Sequence, residues 1–161
     1  MVDDRATDIG PDGCAALLAE NHFGRVAVND DDGPIVLPVN YVLDGDGIVF
    51  RSAEGTQVHA ALHEAPASFE IDAIDERTRT GWSVVVRGHL AEITDAGELA
   101  RVRELPLRPF VGGDRERFVR LEVREVSGRR IDVPEGVPEG WFRPTGLGNV
   151  WLGRDATDLG L

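Results

Sequence analysis

The chain has 161 residues, 29 of them acidic and 17 basic, for a formal charge of −12. That length suits one domain, burying about two thirds of its unfolded surface without a staple, and the single cysteine excludes an internal disulfide framework. The acidic balance argues against non-specific binding to nucleic acid or anionic membrane, and the complete absence of lysine excludes Schiff-base and phosphate-loop lysines.

No stretch approaches the roughly 18 apolar residues that a membrane helix requires. Met1 to Arg5 is acidic and lacks the apolar core of a signal peptide, so a cytoplasmic protein is expected. In chain order, Asp12 to Asn21 reads as a helix, with Asp12 as its cap, Cys14, Leu17 and Leu18 on one face, and Gly24 beyond its end. Cys14 is expected to be a small core residue. Arg25 to Val28 reads as a strand, Asn29 to Pro34 as a turn, and Ile35 to Leu43 as a second strand. The Asp44-Gly45-Asp46-Gly47 run is a hairpin signal before Ile48 to Ser52. Three strands in succession make a meander.

Gly55 to about Glu64 reads as a short helix closed by Pro66. Ser68 to Ile74 alternates at period two, and Trp82 to Ile93 is a long valine-rich strand. Thr94 and Asp95 open another helix that ends before Pro106. Phe118 to Val126 alternates again, with Val119, Leu121 and Val123 inward. Six strands and little helix fit an antiparallel barrel with peripheral helices, and not a doubly wound sheet. Residues 1–133 are read as that domain. Residues 134–161, rich in proline and glycine yet carrying Trp141 and Trp151, are read as an arm docked on this or a neighbouring subunit.

The most informative chemistry lies at Val49 to Thr56. A strand delivers Arg51 and Ser52 to a turn, and Gly55-Thr56 opens a helix, so a guanidinium, hydroxyls and helix N–H groups can gather around a phosphate. On the residues alone, Thr56 as a plain cap and Arg51 as an outward strand charge fit equally well. His22, His59, His63 and His89 make no convincing metal site. His59 and His63 stand four apart, but no glutamate follows His59 to serve as a base. No metal is expected.

Gly24-Arg25-Val26-Ala27-Val28, Pro38-Val39-Asn40-Tyr41, Phe50-Arg51-Ser52 with Gly55-Thr56, and Gly81 to Gly88 together resemble the pyridoxamine 5′-phosphate oxidase-like superfamily. Within it the chain most resembles the small flavin-nucleotide-binding branch that includes nitroimidazole-resistance reductases. Gly128-Arg129-Arg130-Ile131 fits that branch, and the resemblance spans about residues 12–132. It implies a six-stranded split β-barrel and a homodimer holding FMN at the subunit interface. By the same resemblance Arg51, Ser52, Thr56 and Gln57 would flank the phosphate, with Arg87 a second phosphate candidate. Val39, Asn40 and Tyr41 would run along the flavin ring, with Trp82, Ser83 and Val84 approaching from another strand. Relatives commonly carry lysine where this chain has Gln57, and the C-terminal arginine motif of the vitamin B6 oxidases is not found. The implied function is an FMN-dependent oxidoreductase acting on a quinone or nitro compound. The alternatives are a deazaflavin-dependent reductase and a non-catalytic flavin-binding protein.

Overall fold

Strands β2 (Phe23–Asp30), β3 (Gly33–Asp44) and β4 (Gly47–Ser52) form an antiparallel meander in the computed structural model. The structure describes residues 6–30, 33–52, 63–75, 80–107, 117–132, 142–145 and 148–151. At the β3–β4 turn Gly45 adopts φ +62°, a left-handed conformation that a side chain would resist. The chain then runs through β5 (His63–Asp75), β6 (Thr80–Glu92) and β7 (Arg117–Asp132).

The sheet order is β7-β4-β3-β2-β5-β6, and β6 pairs with β7 again, so six antiparallel strands close into a ring. Strand β1 (Ala6–Ile9) adds to the outer half of β7. The ring is uneven. β3 gives its first eight residues to β2 and only Tyr41 to Asp44 to β4, so β3 and β4 part beyond the Tyr41↔Phe50 pair. This is the split barrel that the strand pattern and the resemblance predicted.

Alternation along each strand decides what fills the barrel. Val26, Val28, Tyr41, Ile48, Phe50, Phe69, Ile71, Val84, Val86, Leu90, Val119 and Leu121 are buried inside it. Helix α1 (Pro11–Glu20) covers one side with Cys14 and Leu18, and the Cys14 thiol donates to the Ile9 carbonyl at 3.4 Å. A second cluster of Val42, Val49, Ile93, Val102 and Phe118 lies outside the barrel. It is covered by helix α2 (Ala96–Arg103), whose Asp95 cap accepts from the Glu98 N–H at 2.8 Å.

Several expectations need correction. Helix α1 starts at Pro11 with Gly10 in the cap position, because proline has no N–H to cap and its fixed φ suits the first turn. His63 and Glu64, expected at a helix end, belong to β5, and Pro66 sits within that strand beside an irregularity in its ladder with β6. β1 was not anticipated; four residues carry little periodicity. β7 continues six residues past Val126, because its far half pairs with β1 and β6. Within the segment read as an arm, β8 (Phe142–Thr145) and β9 (Gly148–Trp151) form a hairpin.

Candidate functional site

Asn40 faces outward on β3 between Val39 and Tyr41, both of which point into the barrel. The Tyr41 hydroxyl donates to the Leu18 carbonyl at 2.8 Å, its ring meets Phe69 edge-on at 4.8 Å, and burial raises its pKa. Both side chains are thus committed to the core, and the Tyr41 N–H donates to the His22 carbonyl at 3.0 Å, so Asn40 is the residue of this stretch whose main chain faces the edge toward β4. The Asn40 amide nitrogen donates to the His22 carbonyl at 3.4 Å, tying β3 to the start of β2.

Arg51 and Ser52 end β4 where β3 and β4 separate, and one further residue of the ladder would set Arg51 opposite Asn40. On the other edge of β4, Arg51 pairs in register with Phe118 and Ser52 with Arg117. Alternation turns Ser52 inward, where it is buried, and Arg51 outward. The Arg51 guanidinium lies 5.3 Å from the centre of the Phe118 ring, and its Nε is buried without a hydrogen-bond partner among the described residues. Next to it, Arg117 donates to Glu92 at 2.6 Å.

Across the sheet, Phe23 stands opposite Asn40, and Arg25 on β2 bridges to β5 through Glu70 at 2.9 Å and Asp72 at 2.6 Å. Asp72 in turn pairs with Ser83 on β6. These registers place Asn40 and Ser83 in one outward row three strand spacings apart, about 14 Å. Ser83 is half-buried and outward, Val84 is fully buried in the core, and Trp82 is half-buried and packs against that core. Arg87 lies four residues further along β6, exposed, with Glu125 at 3.6 Å. The expectations for Thr56 and Gln57 fall outside the described residues. Thus Asn40, Arg51 and Ser52 share the opening of the barrel, Trp82 and Ser83 reach the same level from β6, and Arg87 stands apart from both. Phe23, a large side chain at the head of β2 and 46% exposed, was not singled out in the sequence, although it directly precedes Gly24-Arg25.

A family model described as pyridoxamine 5′-phosphate oxidase matches residues 11–130, and this chain belongs to that family. Among individual relatives, the chain is 31% identical over 136 residues to the uncharacterized protein Rv0080 of Mycobacterium tuberculosis, covering 81% of this chain and 89% of that one. Among solved structures, it resembles the FAD binding protein from Mycobacterium smegmatis at 30% identity and a TM-score of 0.68, covering 79% of this chain and 99% of that one. It also resembles a conserved protein of unknown function, DIP1874, from Corynebacterium diphtheriae, at 31% identity and a TM-score of 0.66, covering 80% and 99%.

Proposed function

We propose that this chain is a flavin-nucleotide-binding oxidoreductase that reduces a small organic acceptor of the quinone or nitro class, with FMN as its cofactor. The observation that carries the reading is Arg51. Among the described residues its buried Nε–H has no acceptor, a state that costs on the order of 1–3 kcal/mol, so its position is one that a ligand acceptor improves. The guanidinium lies where the edges of β3 and β4 part, and a phosphate matches a charged fork of N–H donors better than a neutral group does. The FAD bound by the mycobacterial relative supports a flavin and leaves the terminal nucleotide as the finer part of the proposal.

A flavin ring supplies the hydride chemistry itself when bound. The chain's own part is to hold and orient. Arg51 neutralises phosphate charge, and the aromatic face of Phe118 keeps that guanidinium in place. Asn40 turns its main-chain N–H and carbonyl toward the edge where β4 has parted from β3, and the stiffness of this stretch comes from burial of the Val39 and Tyr41 side chains. Asn40 and Ser83 add polar groups from the outer row. A homodimer belongs to the same proposal. Val36 at 59% and Ile74 at 66% exposed, together with Phe23, leave apolar surface that a second copy would cover.

The test is a titration of FMN, FAD and riboflavin into the native chain and Arg51→Ala. Loss of a charged hydrogen bond of about 1.5–3 kcal/mol should weaken the two nucleotides roughly 10- to 150-fold. Riboflavin, which has no phosphate, should bind both proteins equally. Equal losses for all three ligands, or no flavin bound by the native chain, would refute the reading. Light scattering at micromolar concentration should give twice the 17.5 kDa chain mass, and a monomer would remove the dimer.

A further inference from the structure

The ladder between β6 and β7 breaks once, and the break sits in a groove. Arg87 pairs with Glu125 and Gly88 with Val123, so Arg124 is an extra residue with no opposite number on β6. Bulges of this kind re-aim side chains and recur beside binding sites. Gly88 locks the bulge in place, since a Cβ there would lie 2.0 Å from the Glu122 carbonyl oxygen. Along the outer face, a groove of about 420 Å³ runs from the β2–β3 ladder to this bulge. A smaller hollow of about 250 Å³ shares His89 and Arg124 with it.

The groove's polar lining is almost entirely of one kind. Asn29, Ser68, Arg87, His89 and Arg124 all contribute to its wall, while Pro34 and Pro66 supply apolar surface. Four of those five side chains carry N–H donors, and Ser68 adds a hydroxyl. Among the described residues no carboxylate lines the main groove. The nearby acids hold the arginines loosely. Arg87 reaches Glu125 and Arg124 reaches Glu122 only at 3.6 Å, beyond the usual hydrogen-bond range of about 2.7–3.2 Å, with all four side chains more than half exposed. Elsewhere Arg25, Arg117 and Arg120 approach carboxylates at 2.6 to 2.9 Å. In a chain of charge −12, two guanidiniums reach one groove while their neighbouring carboxylates stay beyond hydrogen-bond range.

We propose that this groove is a second binding site, for a small organic anion. Its oxyanion head, a carboxylate or a phosphate, is held between Arg87 and Arg124 with His89 and Ser68 beside it, and its apolar body lies against Pro34 and Pro66. The site does not depend on the flavin reading, because Arg87 stands apart from Arg51 and shares none of its neighbours.

Inorganic phosphate and succinate are the probes, titrated into the full chain and followed by backbone amide chemical shifts. Both are expected to move Ser68, Gly88, His89 and Arg124 along one saturable curve. Binding by phosphate alone assigns the groove to phosphoryl groups, and binding by both assigns it to oxyanions in general. The double substitution Arg87→Gln/Arg124→Gln should weaken binding roughly tenfold or more, as expected when a charged hydrogen bond is lost. Both side chains are two-thirds exposed, so the fold and its melting temperature should hold. Arg51→Gln should leave these shifts unchanged, which separates failure here from failure of the flavin site. Equal shifts from sodium chloride at matched ionic strength, or unchanged affinity in the double variant, would overturn the proposal.

Discussion

Arg120 on β7 holds Asp44 at the β3–β4 turn twice over, its Nη1 donating to the Asp44 carbonyl at 2.9 Å and its Nη2 to the carboxylate. Arg101 on α2 takes the same carboxylate, with Nη2 at 2.8 Å from Oδ2, and Glu98 balances Arg120 at 2.8 Å. The network fastens α2 and the turn to the long strand, next to the outer apolar cluster around Val102. Its nearly buried carboxylate is hydrogen-bonded by charged partners on both oxygens, a case in which an ion pair matters more than at an open surface.

Acid should therefore weaken the fold in a defined window. Hydrogen bonding from Arg101, opposed by partial burial and helped by Arg120, lowers the Asp44 pKa from 3.8 to about 2. The unfolded chain takes up a proton first, so the stabilisation is complete above pH 4 to 5 and is lost as pH falls through about 2. The effect is on the order of 2 kcal/mol. Urea midpoints measured from pH 6 to 2 should show Asp44→Asn destabilised at pH 6, with a flatter acid limb. An unchanged limb would remove Asp44 from that role.

Tyr41→Phe tests the inside of the same strand. It deletes the hydroxyl that donates to Leu18 but keeps the ring against Phe69. The buried carbonyl loses its partner at a cost of about 1–2 kcal/mol. Flavin affinity should not change, because the Tyr41 side chain is buried in the core and its N–H is held by the His22 carbonyl. A selective loss of flavin affinity at unchanged stability would show that the side chain reaches the ligand.

Gly88→Ala should be far more damaging. A Cβ at 2.0 Å from a main-chain oxygen has no flexible neighbour to displace, so β6 and β7 must shift together. We expect a loss above about 3 kcal/mol, in the tail reserved for overpacking and strain. A chemical-denaturation midpoint close to that of the native chain would mean that the bulge relaxes cheaply.

Added potassium chloride should raise the melting temperature. Self-repulsion among 29 acidic and 17 basic residues weakens as the screening length contracts from about 10 Å at 0.1 M to about 3 Å at 1 M. A flat or falling curve would show that ion pairs such as those of Asp44 and Arg25 outweigh the net charge.

Much of the barrel was legible because its strands alternate. Phe118 to Val126 announced Val119 and Leu121 as core, and the Asp44 to Gly47 turn fixed the β3–β4 register. What escaped depends on partners distant in sequence. β1 is a strand only because the far half of β7 lies beside it, and His63 joins β5 because β6 is there to pair with Ala91. Arg51 and Ser52 stood out from their place at a strand end, but the Phe118 ring over Arg51 comes from a strand more than sixty residues later. The groove was invisible because a bulge has no composition of its own. Arg87 entered the sequence reading only as a phosphate candidate implied by the resemblance, and Arg124 drew no functional reading at all.

Closure of the ring between β6 and β7 also sets a timetable for synthesis. β7 is the partner of β1, β4 and β6, with Ala6 meeting Ile131 and Gly47 meeting Glu122. While the ribosome is still making the first hundred residues, the meander can form, but β4 keeps an unpaired edge and β6 lacks one neighbour. Pairings this distant in sequence carry a large loop-closure entropy and slow the search for the native topology. The nascent chain thus waits with open strand edges until its last long strand clears the exit tunnel, and in that interval a second copy or a chaperone can compete for them.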